Sequence, residues 1–177
     1  NRVVVLLCDG MGDLLLARHR SHAPFLNGLR RPGPVVVAGH PSTTATSMGS
    51  FGTGLLPGAH GMVGYQVVDP GTGRLFNELS WENGPDPRLW QPHPTVFEQV
   101  AADGAEVYHI GPSFFEGSGL TTSALRGPRF VSAWSLTDRV DVAVSLIRRS
   151  PRVLVYLYWG DVDKIGHERG VASDAWL

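Results

Sequence analysis

The sequence has 177 residues, of which 42% are hydrophobic and 18% charged, and its formal net charge is -1. This balance is typical of a globular domain and excludes a disordered or fibrous chain, and the absence of excess basic charge argues against a nucleic-acid polymer as partner. Its apolar runs are shorter than the roughly 18 to 20 residues that a membrane-spanning helix needs, so no membrane segment is predicted.

Both ends of the sequence resemble points at which a longer chain has been divided. The chain enters an apolar run directly after Asn1, and residues 173–177 resemble a helix N-cap and a first turn that is never completed. We therefore expect the chain to be part of a longer protein. The single cysteine, Cys8, lies inside an apolar run and cannot form an internal disulfide. Together with the lack of a visible leader, this predicts a cytoplasmic location.

Apolar runs rich in β-branched residues alternate along the chain with helical patterns. Strands are predicted at residues 3–8, 35–38, 106–110 and 153–158, and the first has the continuous apolar pattern of a strand buried on both faces. Helices are predicted at residues 14–19, 44–55, 95–103 and 137–149, with an additional helical turn that ends at Pro32 and Gly33.

Between these elements, residues 62–93 are rich in Gly and Pro and carry the turn sequence DPGTG, which predicts an irregular excursion with a hairpin. The alternation of strands and helices predicts a single α/β domain portion over residues 1–177. Its sheet should be open and mostly parallel, with helices on both faces.

Ligands of such sheets bind beyond the carboxyl ends of the strands, and three of the predicted strands are followed by polar residues there. Asp9 follows the first strand, the hydroxyl-rich stretch PSTTATS follows the second, and GDVDKIGH follows the fourth. Each has a structural alternative. Asp9 can cap a turn, a Thr before a helix is often its N-cap, and Asp163 with His167 at i, i+4 can form a surface ion pair.

Taken together, the three segments favour a metal-assisted site. Carboxylate oxygens and imidazole nitrogens are ligands of zinc and similar ions, and a bound ion activates a hydroxyl that is otherwise a poor nucleophile. A helix that begins near Thr44 directs backbone N–H groups towards an anion. This combination suits phosphoryl transfer.

The motifs resemble those of the alkaline phosphatase superfamily, and within it the type I phosphodiesterase/nucleotide pyrophosphatase group. The family has an Asp-Gly after its first strand, a Pro-x-x-Thr segment that reaches Thr-Gly nine residues later, a Pro, a His-Gly, and an Asp-x-x-Gly-His ahead of a Gly. The matching positions are Asp9-Gly10, Pro41, Thr44, Thr53-Gly54, Pro57, His60-Gly61, Asp163, Gly166, His167 and Gly170.

The resemblance implies a phosphate-ester hydrolase that acts on a small phosphate ester or a nucleotide. It implies two divalent metal ions, usually zinc, with Asp9, Thr44, Asp163 and His167 as metal contacts. Thr44 is implied to be the nucleophile that forms a phospho-threonine intermediate. The spacing to Thr53-Gly54 selects Thr44 over its neighbouring threonines.

The sequence departs from the family at two places. Where the family has an Asn-His segment after its Thr, this chain has ATSM, so Ser47 is the candidate phosphate contact in place of the asparagine. The family's later Asp-His pair and final His have no counterpart, which leaves the second metal site incomplete. Three alternatives stay open: a phosphomonoesterase, an enzyme similar to phosphoglycerate mutase, and a non-catalytic α/β module that binds an anion.

Overall fold

The computed structural model describes residues 1–31 and 33–177. Its strands are β1 (Arg2–Cys8), β2 (Gln66–Asp69), β3 (Arg74–Asn77), β4 (Glu106–Gly111), β5 (Arg129–Ser132) and β6 (Val153–Trp159). Its helices are α1 (Asp13–Arg18), α2 (Pro24–Leu29), α3 (Thr44–Thr53), α4 (Pro57–His60), α5 (Pro87–Trp90), α6 (Val96–Ala102), α7 (Gly119–Ala124), α8 (Leu136–Arg149) and α9 (Asp161–Arg169). The helix stop predicted at Pro32 lies outside the described residues. Over the described ranges, none of the helices combines the length and apolarity needed to span a membrane.

Four strands form one sheet in the order β1-β6-β4-β5, and β2 pairs with β3 in an antiparallel hairpin. Within the sheet, β4 runs parallel to both β5 and β6. Its residue Tyr108 lies opposite Arg129 on one side and Val155 on the other. The predicted α/β class with a mostly parallel sheet is confirmed.

The strand predicted at residues 35–38 is wrong. This segment has no regular structure, and Val36 and Val37 are 91% and 92% exposed. A β-branched run favours an extended backbone, but a strand also needs a neighbour to bond with, and none pairs with this one in the described sheet. Thr44 therefore does not follow a strand, and its predicted position at a strand end is wrong.

The burial predicted for the first strand is also wrong. β1 stands at the end of the strand order, and Val3 and Leu6 are 47% and 54% exposed. A continuous apolar run identifies a strand but not its place in the sheet, because an edge strand and a central strand can share the same composition.

The described chain divides into two compact units. Unit 1 comprises Asn1–Val5 and Ala38–Leu157, and unit 2 comprises Leu6–Val37 and Tyr158–Leu177. The core of unit 1 lies between the sheet and α8, where Ile110 and Val155 are fully buried against Leu146. α8 begins with a capping box formed by Ser135 and Asp138, which satisfies backbone N–H groups at its first turn.

Small residues let α3 pack closely inside unit 1. A Cβ at Gly52 would overlap the carbonyl oxygen of Ala124 in α7, and a Cβ at Gly49 would lie 2.5 Å from Cε1 of His60. Real Cβ atoms do not approach other atoms so closely. The glycine-rich end of α3 is therefore required by the helix that crosses it and by the histidine beside it.

We expect the protein to lose stability between pH 7 and pH 5 because of His109, which is 2% exposed on β4. Burial, followed by the positive charge of Arg139, lowers the pKa of this histidine from 6.5 to about 4. The unfolded chain therefore takes up the proton first as the pH falls. The free energy of unfolding should decrease by about 2 kcal/mol over this window and level off below the folded pKa.

Urea unfolding of the wild type and of His109→Gln at both pH values isolates this contribution, because glutamine does not titrate. An equal loss of stability in the two proteins would contradict the assignment to His109.

Candidate active site

Hydrogen bonds to its main chain and to both carboxylate oxygens hold Asp9 in unit 2 at the end of β1. Its backbone N–H donates to the carbonyl of Trp159 at 2.9 Å, which fixes the main chain. One carboxylate oxygen accepts from the N–H of Gly10 at 2.9 Å, and the other accepts from the hydroxyl of Tyr158 at 2.8 Å. The turn-cap alternative therefore describes only one of its two oxygens.

Gly10 brings the Asp9 turn into direct contact with α9. Its φ of +75° lies in the left-handed region, and a Cβ at this position would stand 2.5 Å from Cα and 2.7 Å from N of Asp163. Only glycine combines this backbone angle with this close approach. The Asp-Gly of the first motif and the Asp of the last are thus joined backbone to backbone within unit 2.

Burial and the neighbouring charges act on the carboxyl group of Asp163. Burial raises the pKa of Asp163, the negative charge of Asp9 raises it further, and His167 acts in the opposite direction. Nε2 of His167 lies 3.6 Å from Oδ1 of Asp163, which is an ion-pair distance and too long for a hydrogen bond. The His167 side chain is 82% exposed. The ring is therefore accessible, and its contact with Asp163 is a loose one.

A cavity of about 180 Å³ in unit 2 opens beside this pair. Asp163, His167 and Gly10 line it together with apolar groups that include Val171 and Trp176. Its volume suits a hydrated ion or a small group.

Oxygen donors from carboxylates and a nitrogen from imidazole fit the chemistry of zinc or a similar divalent ion. Among residues 1–31 and 33–177, however, no three His, Cys, Asp or Glu side chains are arranged as a group that could hold a metal ion. The types of ligand atom therefore fit a metal ion. The side chains that lie together are those of Asp163 and His167, with the Asp9 turn beside them.

The hydroxyls at the start of α3, in unit 1, have separate structural roles. Thr43 is the N-cap, because its hydroxyl accepts from the N–H of Thr46 at 3.3 Å and donates to the Thr46 hydroxyl at 3.0 Å. Thr46 is fully buried. Thr44 is the first residue of α3, and Ser47 follows three positions later on the same face, with both half-buried. The N-cap alternative thus belongs to Thr43 and not to Thr44.

His60 of the His-Gly motif is a structural residue. Its Nδ1 accepts from the N–H of Met62 at 3.1 Å, so the proton of the neutral ring is on Nε2, which lies 3.0 Å from the hydroxyl of Ser50. Burial, followed by the charge of His93, lowers the pKa of His60 and favours this neutral form. The ring therefore ties the segment after α4 to the side of α3.

Sequence reasoning did not identify Tyr158 as a partner of Asp9. The available signal was the alternation in YLYW, which places Tyr156 and Tyr158 on the same face of β6 directly ahead of the last motif. Tyr158 donates a hydrogen bond to the carboxylate of Asp9 and so fixes the orientation of that side chain.

Comparison with known proteins gives a consistent result. The family model described as type I phosphodiesterase / nucleotide pyrophosphatase matches residues 3–177. A protein of Schizosaccharomyces pombe described as an uncharacterized pyrophosphatase/phosphodiesterase is 27% identical over 172 residues, which cover 90% of this chain and 32% of that protein.

Solved structures share the fold at 20% sequence identity. Murine ectonucleotide pyrophosphatase / phosphodiesterase 5 matches with a TM-score of 0.74 over 98% of this chain and 47% of its own. Its inactive threonine-to-alanine variant in complex with AMP matches with a TM-score of 0.77 over 99% and 47%. Phosphonoacetate hydrolase from Sinorhizobium meliloti, in complex with phosphonoacetate, matches with a TM-score of 0.66 over 97% and 49%.

The chain thus spans about a third of the curated relative, at 32%, and about half of these solved structures, at 47% to 49%. The family model, by contrast, covers every matching position named above, from Asp9 to Gly170. The resemblance inferred from the motifs is confirmed: the chain belongs to the type I phosphodiesterase/nucleotide pyrophosphatase family.

Proposed function

We propose that the protein is a metal-dependent phosphate-ester hydrolase that acts on phosphodiesters or nucleotide pyrophosphates, with Thr44 as its nucleophile. The observation that carries this proposal is the family match across residues 3–177, because it includes every residue to which a role is assigned. Activity and substrate are proposed for the whole protein, of which this chain covers the part that bears these motifs.

Thr44 suits the role of nucleophile by its position on α3. It is the first residue of a ten-residue helix, where N–H groups have no partner within the helix and favour an anion. In the proposed reaction, the Thr44 hydroxyl passes its proton to solvent water, and Oγ1 bonds to phosphorus as the bond to the leaving group breaks. The leaving oxygen departs with the bonding electron pair and takes up a proton from water. Water then attacks the phospho-threonine, releases the phosphate product and restores the hydroxyl.

Ser47 is the proposed phosphate contact because it lies one turn after Thr44 on the same half-buried face of α3. A serine hydroxyl can donate one hydrogen bond to a phosphate oxygen, although it reaches less far than an asparagine amide. The inactive threonine-to-alanine variant of the murine relative, in complex with AMP, supports both a threonine nucleophile and a nucleotide as substrate.

Asp9, Asp163 and His167 are the proposed ligands of the metal, together with the Thr44 hydroxyl. Two divalent ions, with zinc as the first choice, would stabilise an alkoxide and the negative charge that develops on the phosphate. The raised pKa of Asp163 supports this role: burial is its main cause and the charge of Asp9 adds to it, and a bound cation would offset both effects.

The proposal is tested with the protein expressed from its full coding sequence and purified with zinc or manganese. We expect hydrolysis of bis(p-nitrophenyl) phosphate and of a dinucleoside pyrophosphate, weaker hydrolysis of p-nitrophenyl phosphate, and loss of activity with a chelator. A preference for the monoester would favour the phosphomonoesterase alternative. Absence of both turnover and bound metal would refute the proposal and favour a module that only binds anions.

Removing either member of the α9 pair should weaken metal binding. We expect Asp163→Asn and His167→Ala each to bind zinc at least about tenfold more weakly, because substitutions outside the first coordination shell already have effects of this size. Elemental analysis and zinc titration measure the change. The matched control is Glu168→Gln on the same helix, which alters only a 4.0 Å contact with Lys164. Unchanged metal content in the first two variants would leave the surface ion pair as the better explanation.

A further inference from the structure

A second cavity, in unit 1, has no role in the proposed hydrolysis. Its volume is about 250 Å³, and residues of β4, β5 and α7 contribute to its wall. The polar part of its lining consists of Arg88, His109, Glu116, Thr121, Thr122 and Arg126. A space of this size holds several waters or one small ligand, and it is smaller than pockets for drug-sized molecules.

His109 in this wall lacks hydrogen-bond partners. The residue is 2% exposed, and within the described part of the chain neither Nδ1 nor Nε2 bonds to another group. Its ring packs edge-on against Phe130 at 4.8 Å and is tilted on Tyr156 at 4.7 Å, so aromatic contacts hold the ring and leave both nitrogens unsatisfied. Buried polar groups are rarely left in this state, which points to a bound species in the cavity.

The charges around the cavity favour an anion. Arg88 is exposed at the wall, and the positive charge of Arg139 acts on His109 from outside the cavity. Arg126 contributes a charge, but it is bound to Glu98 at 3.1 Å and to backbone carbonyls, so it serves mainly to hold the wall. Glu116 is the one carboxylate among the described residues that line the cavity, and its exposure to water screens its repulsion.

We propose that this cavity binds a small oxyanion, either inorganic phosphate or a small carboxylate, through His109, Arg88 and the hydroxyl of Thr121. The anion accepts a hydrogen bond from the imidazole, and Arg88 supplies the opposing charge. The proposal does not depend on the hydrolase assignment, because none of these residues has a part in that reaction.

The test is an NMR titration of the full-length protein labelled with ¹⁵N at histidine, with the imidazole signals of His109 assigned by their loss in His109→Gln. Inorganic phosphate and acetate are added in separate titrations up to about 10 mM, a range in which millimolar dissociation constants can be measured. We expect saturable shifts of the His109 signals with at least one anion. A saturating anion should also raise the pKa of His109, because an anion that binds the imidazolium more tightly than the neutral ring stabilises the protonated form.

The arginine variants make the test specific. Arg88→Gln should weaken anion binding about tenfold. Arg74→Gln, at an exposed position of β3 in the same unit, should leave the affinity unchanged. A response to phosphate alone or to acetate alone identifies the source of the oxyanion. Unshifted His109 signals in both titrations, or equal affinity in Arg88→Gln and Arg74→Gln, would overturn the proposal and leave ordered water as the occupant.

Discussion

Thr44→Ala should reduce phosphodiester hydrolysis at least about 10³-fold, because it removes the atom that bonds to phosphorus. Stability should change little, since Thr44 is only half-buried at the first position of α3 and alanine is a good helix former. Initial rates with bis(p-nitrophenyl) phosphate and a thermal unfolding curve measure the two effects. Zinc titration of the same variant shows whether the hydroxyl also contributes to metal binding.

Thr43→Ala is the matched control for this result. The same chemical change one residue earlier removes the N-cap and its bond to the N–H of Thr46, which should cost about 1 kcal/mol of stability. Hydrolysis by the folded protein should remain within about tenfold of the wild type, because the nucleophile is still present. If Thr44→Ala kept near-normal turnover, or if Thr43→Ala lost as much, the assignment of the nucleophile would be wrong.

Gly10→Ala should produce the largest loss of stability among the substitutions considered. An alanine at φ +75° is strained, and its Cβ would collide with main-chain atoms of Asp163, which cannot move aside as a flexible side chain can. We expect a loss of about 2 to 4 kcal/mol in the free energy of unfolding. Urea unfolding measures it, and zinc titration should show weaker binding because the Asp9 turn is forced away from α9.

Gly12→Ala provides the comparison two residues further along the chain. Gly12 has an ordinary φ of -97°, and a Cβ there meets no atom of the described residues within 4 Å. Its substitution should change stability by less than about 1 kcal/mol. Equal effects of the two substitutions would mean that the contact of Gly10 with Asp163 is not what fixes this turn.

Much of the fold could be predicted because local signals and tertiary structure agree there. The predicted helix at residues 95–103 corresponds to α6, whose cap Thr95 and partner Glu98 form a capping box, and the helix at 137–149 corresponds to α8. β4 and β6 are apolar runs whose partners lie on both sides, so their composition and their environment coincide. Patterns of this kind predict an element reliably because the buried environment stabilises the same secondary structure that the local sequence favours.

The errors arose where the outcome depends on a neighbour that no local pattern reveals. Residues 35–38 have the composition of a strand but no pairing partner within residues 1–31 and 33–177. The strand β5 was missed because its four residues are too few to show periodicity. In the site, spacing distinguished Thr44 from Thr43, but only the hydrogen bond to Thr46 shows why Thr43 is the cap. His109 carried a readable signal, a polar residue within an apolar strand, whose importance depends on the cavity beside it.

The close contact of Gly52 with Ala124 has a mechanical consequence. Packed helices normally slide past each other by small shear displacements that side-chain rotations absorb. Here the backbone of α3 rests directly on a carbonyl of α7, so no side chain is available to absorb such a displacement. The two helices should therefore move as one rigid body. A displacement of α3, which begins at Thr44, should therefore also displace α7, which carries Thr121 and Thr122.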